Sequence, residues 1–246
     1  MRYPMTLRVA VPLLLLALGA CESDTRTETA APSETRSTSE TASRAPETEA
    51  ANGPGAAEGA GTPIEHTLVP LPGKAVPVLT RVSTVVLETT AGNVTIEVYP
   101  EAAPNAAERF VRLVESGYYD GTPVSRVIPG FVAQFGINWR TPHRGWRDRP
   151  FNDDPTLFAL ERGTLAFAKA GPNTNSTQVF INYRENNYLA SPEQNFTVFG
   201  KVVDGMDVVD AFVPLELDQA RLWSDGEALI ESLEVKPTMI ERAYVR

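Results

Sequence analysis

From residue 84 onward, apolar positions fall into short runs bounded by Gly, Pro or Asn, a spacing that predicts strands. Thr84–Thr89 and Val94–Tyr99 are β-branched and partly alternating. Ala91-Gly92-Asn93 between them supplies a turn, so the pair reads as a hairpin. The pattern then changes period. Pro104-Asn105 opens a segment that places Ala106, Phe110, Leu113 and Val114 on one helical face, and Gly117 ends it. Strand-like runs return at Val124–Ile128, Phe131–Phe135, Thr164–Ala168, Val179–Ile181 and Val198–Val203. A second helix fits Met206–Phe212, and a closing strand fits Met239–Val245. No internal repeat is visible, and the many short strands favour an antiparallel barrel or a sandwich.

The first third of the chain has a different pattern. Arg2 and Arg8 precede a ten-residue apolar run, Val9–Leu18, which is too short to cross a bilayer as a helix. Leu18-Gly19-Ala20 then leads into Cys21, the single cysteine. This resembles the bacterial lipobox and implies a signal peptide over 1–20, cleavage before Cys21 and lipidation of that residue. With Cys21 acylated no thiol remains, which excludes disulfides, a catalytic cysteine and Cys-based zinc sites. Acylation of this kind gives stable membrane anchoring. Glu22 rather than aspartate follows, which weakly favours the outer membrane of a bacterial envelope, on its periplasmic side. From Glu22 to Pro63 there is no Val, Leu, Ile, Met, Phe, Tyr or Trp, so residues 21–63 are expected to form a lipidated, unordered tether. Residues 64–83, with Pro70, Pro72 and Pro77, read as an extended lead-in, and 84–246 as the folded domain.

The 246 residues carry a net charge of −9, and the tether contributes eight acids against three arginines. That balance argues against nucleic acid and against a basic face on anionic lipid. His66 and His143 have no ligand-like neighbours at metal spacing, so no metal or other cofactor is expected. Asp153-Asp154 before Pro155 reads as a solvated turn. Ser125 lacks the flanking glycines and histidine partner of a serine nucleophile. The segment from Ser125 to Gly136 is harder to dismiss, because it sets Arg126 and Gln134 in an apolar run with Phe131. A buried strand has no use for an unpaired guanidinium, so the segment reads as the wall of a groove. A turn-rich block, Ala168-Lys169-Ala170-Gly171-Pro172-Asn173-Thr174-Asn175, leads into Gln178-Val179-Phe180.

Taken together, Arg126-Val127-Ile128-Pro129-Gly130-Phe131 with Gln134, the 168–180 block, and Val198-Phe199-Gly200…Gly205-Met206 resemble the cyclophilin family of peptidyl-prolyl cis–trans isomerases. The resemblance covers about residues 84–212, with a looser tail to 246. It implies a mainly β fold: a closed eight-stranded antiparallel β-barrel capped by two α-helices. It also implies rotamase activity on proline-containing segments of unfolded or exported proteins, with Arg126, Phe131 and Gln134 as the catalytic set. Arg126 would donate to the prolyl nitrogen and Gln134 would orient it. Val132, Phe180 and Leu189 would complete the proline pocket with Phe131, and Tyr188 would stand at its rim. Gln178 would line the groove, and Ala168 and Lys169 would meet the peptide main chain.

Several positions depart from the family pattern. Ser125 stands where histidine is usual, and Phe135 replaces a glycine, which implies a different path beyond Gln134. Lys169 replaces asparagine, Tyr188 an often-found tryptophan, and Phe196 a histidine, the last two implying weak cyclosporin binding. The segment Asn138–Pro155 is unlike the common family loop and reads as an exposed structural loop or a partner-binding feature. A monomer is expected. The rival function is a proline-peptide-binding or holdase module that keeps the groove without turnover.

Overall fold

The structure, a computed structural model, describes residues 68–246. The expected signal peptide (1–20), Cys21, the tether to residue 63 and the first four residues of the lead-in lie outside the described residues. From Leu68 to Val82 the chain has neither helix nor strand and turns at Pro72-Gly73. It is pinned to a neighbouring segment: Leu71 N–H donates to the Leu157 carbonyl at 2.9 Å, and Ala159 N–H to the Val69 carbonyl at 2.8 Å.

Among the described residues, eight strands close into a barrel rather than a sandwich. They are β1 (Ser83–Thr89), β2 (Gly92–Val98), β3 (Thr122–Ile128), β4 (Val132–Phe135), β5 (Thr164–Phe167), β6 (Val179–Asn182), β7 (Val198–Asp204) and β8 (Met239–Val245). Their order around the barrel is β1-β2-β7-β5-β6-β4-β3-β8, with every neighbouring pair antiparallel. Closure removes the exposed strand edges that would otherwise invite aggregation.

Side-chain alternation along the strands sorts the apolar residues into two sets. Ala133, Phe135, Leu165, Phe167, Val179, Ile181 and Phe199 point into the barrel and pack with helix α1 (Pro104–Glu115). Their strand neighbours Val132, Ala166, Phe180 and Val198 belong to a second cluster on the outer wall, with Leu160 and Leu189. All of this packing is drawn from residues 68–246, so that span contains its own core and a complete sheet.

Helix α1 buries Ala106, Phe110, Leu113 and Val114, the face its periodicity predicts. Its N-terminus has no side-chain cap of its own. Asp154 supplies one from a distance, accepting from Asn105 N–H at 3.2 Å and Ala106 N–H at 2.9 Å. A carboxylate there satisfies free amides and faces the positive end of the helix dipole. Asp154 is 4% exposed, so the expectation of a solvated turn at 153–154 is wrong.

Helix α2 (Met206–Asp210) falls where expected, and a further helix, α3 (Gln219–Ser232), follows it, which the periodicity did not predict. Asp225 breaks α3 with non-helical φ/ψ, so the apolar stripe formed by Leu222, Trp223 and Leu229 loses its phase. Asp218 caps the helix, accepting from Arg221 N–H at 3.0 Å. Gly226 lies against Trp139, where a Cβ would come within 2.3 Å of the indole.

Phe135 does not divert the chain. It stays in β4, paired with Val124 and Val179, and its ring sits inside the barrel edge-on to Tyr119 at 5.3 Å. The turn comes one residue later, at Gly136, where φ is +105° and a Cβ would lie 2.3 Å from the Thr177 carbonyl oxygen. Gly136→Ala is therefore expected to lower unfolding free energy by about 2 kcal/mol or more, combining backbone strain with a backbone clash. Urea denaturation measures it.

Candidate active site

The outer wall is set by register. Arg126 of β3 pairs with Gln134 of β4, Gln134 with Phe180 of β6, and Phe180 with Ala166 of β5. Directly opposed residues share a face, so these four form a row across four strands. Val132, two residues before Gln134, joins the same face and is 3% exposed. Phe131 arrives by a tight turn, Ile128-Pro129-Gly130-Phe131, closed by the Phe131 N–H to Ile128 carbonyl bond at 3.0 Å. Pro129 followed by Gly130 at φ +71° meets the needs of a type II turn. The turn brings the Phe131 ring beneath Arg126, whose guanidinium carbon is 6.0 Å from the ring centroid.

The apolar floor is made by Val132, Phe180 and Leu189, with Phe131, Ala168 and Phe196 partly buried against them. Phe180 and Phe196 meet edge-on at 5.6 Å. Tyr188 stands at the rim, 58% exposed. Arg126, Phe131, Val132, Gln134, Phe180 and Leu189 are thus brought together on one outer face of the barrel, with the Arg126 side chain 28% exposed to solvent.

Two side chains do something other than expected. Gln134 does not hold Arg126; its amide donates to the Gln178 Oε1 at 2.8 Å. Arg126 is held instead by Glu216, with Nε 2.9 Å from Oε1. The cause lies in the backbone. Val124 pairs with Phe135 and Arg126 with Gln134, so Ser125 is the extra residue of a β-bulge. The Ser125 carbonyl accepts from Leu217 N–H at 2.9 Å, and Val127 N–H donates to the Leu215 carbonyl at 2.6 Å. Residues 215–217 therefore run beside β3 and bridge Arg126 to Glu216. Ser125 itself is buried, its hydroxyl 3.4 Å from the Gln134 carbonyl, and it does not line the groove.

Lys169 also turns away from the groove. Its side chain is 4% exposed; Nζ lies 2.7 Å from Asp153 Oδ2 and 2.9 Å from the Asn195 carbonyl. Asp153 also accepts from Asn175 Nδ2 at 2.6 Å, while its own N–H donates to Asn173 Oδ1 at 2.9 Å. Burial alone would raise the Asp153 carboxyl, but the bonds from Lys169, Asn173 and Asn175 hold it below the ordinary carboxylate range. Asp154 moves the other way, raised by burial despite its two amide bonds. Sequence reasoning missed both Glu216 and the Asp153–Lys169 pair. No motif marks Glu216, and the partners are far apart in sequence.

Residues 84–235 match the family described as cyclophilin type peptidyl-prolyl cis-trans isomerase/CLD. The chain is 41% identical over 133 residues to the peptidyl-prolyl cis-trans isomerase-like 3 of Rhizopus delemar, an alignment spanning 50% of this chain and 76% of that protein. To a peptidyl-prolyl cis-trans isomerase of Acinetobacter baylyi it is 38% identical over 128 residues, spanning 50% of this chain and 68% of that protein. A crystal structure of a Cryptosporidium parvum cyclophilin type isomerase superposes with a TM-score of 0.50 at 23% identity, covering 68% of this chain and 98% of that one. The chain belongs to the cyclophilin-type peptidyl-prolyl cis–trans isomerase family.

Proposed function

We propose that the groove around Arg126 isomerises Xaa-Pro bonds in exported polypeptides, and that the enzyme is held to a bacterial envelope membrane by lipid on Cys21. The observation that carries the catalytic reading is the solvent-accessible guanidinium of Arg126 above an apolar floor. The peptide bond resists rotation, by about 18–20 kcal/mol, because the nitrogen lone pair is delocalised into the carbonyl. Catalysis needs no nucleophile and no proton transfer, only better binding of the twisted amide than of either planar isomer. As the bond twists, the prolyl nitrogen pyramidalises and becomes a hydrogen-bond acceptor. Arg126 donates to it there, a preorganised dipole aimed at charge that develops only in the transition state.

Glu216 takes the Nε–H, which leaves the terminal guanidinium nitrogens for the substrate. Phe131, Val132, Phe180 and Leu189 receive the proline ring, with Tyr188 at the mouth. Gln134 and Gln178, already bonded to each other, present amide groups to the peptide backbone. Among the described residues the N–H and C=O of Lys169 make no hydrogen bond, so they and Ala168 provide a main-chain ledge. Glu216 is a positioning residue. Glu216→Ala is expected to lower kcat roughly three- to tenfold with little change in KM, while melting temperature moves little because so exposed a pair contributes at most about 1 kcal/mol.

The test is a protease-coupled isomerisation assay with residues 68–246 on a series of Xaa-Pro peptides. Acceleration supports the reading, whereas saturable peptide binding without acceleration assigns the groove to a holdase. Metabolic labelling with palmitate, comparing the full chain with Cys21→Ser, tests the anchor. Label retained by the variant refutes lipidation at Cys21.

A further inference from the structure

The loop that follows β4 and Gly136 carries Arg140, Arg144, Arg147 and Arg149, with Trp139 just before them and Trp146 among them. It is not a loose connection. Trp139 packs on Gly226 of α3, and Asn138 fixes the loop base, donating to the Tyr118 carbonyl at 2.6 Å and accepting from Arg140 N–H at 3.0 Å. His143 stacks edge-on to Tyr118 at 5.9 Å. So anchored, the loop gathers charge from two elements. The guanidinium carbons of Arg109, Arg112 and Arg149 lie 5.4, 6.0 and 5.2 Å from the Trp146 ring, and that of Arg147 lies 4.7 Å from the Trp223 ring.

Arg112 pairs with Glu108 at 3.2 Å, but among the described residues Arg109, Arg140, Arg144, Arg147 and Arg149 form no ion pair. Between Trp139 and Arg149 the one acid is Asp148. Burial, then the neighbouring Arg112 and Arg149, hold Arg109 below the ordinary arginine value, as expected where like charges crowd. Stacked indoles can hold guanidiniums in place without neutralising them. The acidic total of the chain therefore conceals a local cationic face, contrary to the expectation drawn from net charge.

We propose that this arginine–tryptophan face docks the domain on a membrane surface of anionic phospholipid. Guanidiniums that lack carboxylate partners fit an array of phosphates, and half-buried indoles are suited to the headgroup layer. An acidic polypeptide is the rival occupant, but the barrel offers it no open strand edge. The loop leads through Phe151 to Leu157, where the lead-in is pinned, a stretch that spans no more than about 20 Å. The supply of membrane rests on the proposed anchor at Cys21; the docking chemistry does not.

Vesicle co-sedimentation with unlipidated residues 68–246 tests the face independently of the anchor. Phosphatidylglycerol vesicles should retain the protein at low salt and release it at high salt, and phosphatidylcholine vesicles should not retain it. The double variant Arg144→Glu/Arg147→Glu should bind phosphatidylglycerol roughly tenfold less well or worse, since each basic residue near the surface is worth about fivefold. Its peptide isomerisation should match wild type, which verifies the fold, and Arg144→Glu alone gives an intermediate loss without disturbing the Trp223 stack. Equal retention by both lipids, no retention, or wild-type binding by the double variant overturns the proposal. Capture by immobilised polyglutamate but not by vesicles also overturns it, in favour of an acidic polypeptide. Failure of palmitate labelling with vesicle binding intact removes the anchor and leaves the docking face.

Discussion

Replacing Arg126 with alanine is expected to reduce kcat/KM for a Xaa-Pro peptide roughly 100- to 1,000-fold, the loss typical of removing one preorganised donor to a transition state. The change should fall on kcat. The proposed proline pocket of Phe131, Val132, Phe180 and Leu189 is packed as one apolar cluster that does not include the guanidinium. Melting temperature should move little, because the Arg126–Glu216 pair is partly solvated, with side chains 28% and 54% exposed. Arg126→Lys should not restore the rate. A lysine has no Nε–H to give Glu216 while presenting a second donor to the substrate, so one ammonium would have to serve both. Wild-type turnover in the alanine variant would remove Arg126 from the mechanism.

Asp153→Ala should be the most damaging single change to stability outside the barrel interior. It leaves the Lys169 ammonium, 4% exposed, with no carboxylate, only the Asn195 carbonyl at 2.9 Å and the Phe196 ring, whose centroid is 5.4 Å away. Breaking a buried pair from one side costs about 3–5 kcal/mol, which for a domain of this size lowers the melting temperature by roughly 10 °C. The pair also ties Asp153 to the 168–175 segment, so peptide KM should rise as the Ala168–Lys169 ledge loosens. Acid should reproduce part of the effect. The folded carboxyl of Asp153 is depressed, so its stabilising contribution is complete above the unfolded value of about 3.9 and is lost as pH falls through the lower folded value. The stability gap between wild type and Asp153→Asn should accordingly be full at neutral pH and close below about pH 4. A constant gap across that window would mean that Asp153 acts as a neutral hydrogen-bond acceptor.

Most of the architecture was legible because strand length and turn chemistry are local properties. The runs at 124–128, 198–203 and 239–245 lie in strands, that at 164–168 overruns its strand by one residue, and the α1 face is the one its spacing predicts. Pro129-Gly130 falls between two of the short apolar runs, where the structure places the turn that brings Phe131 under Arg126. What escaped the reading depends on contacts between distant segments. Nothing near Leu215–Leu217 signals that it runs beside β3, because the bulge at Ser125 and the opposing strip become visible only when both are folded. Asp153-Asp154 has the local chemistry of a turn. Its real work, one carboxylate on a lysine and the other on a helix terminus, is decided by residues 16 and 48 positions away. The kink at Asp225 put the α3 stripe out of phase, and the total charge averaged away the arginine face.

The alternation of β4 and β6 has a consequence for how such a domain can change. Ala133, Phe135, Val179 and Ile181 belong to the interior, whereas Val132, Gln134 and Phe180, interleaved with them, belong to the outer face that carries Arg126. The same few residues of backbone thus answer to two separate demands, one for staying folded and one for choosing a client. If the outward positions take the proposed role, drift there would retune which proline segments are served without reopening the question of whether the barrel closes. Phe135 illustrates the converse. An unusual residue beside the reacting groups was absorbed by the interior and left the working surface untouched.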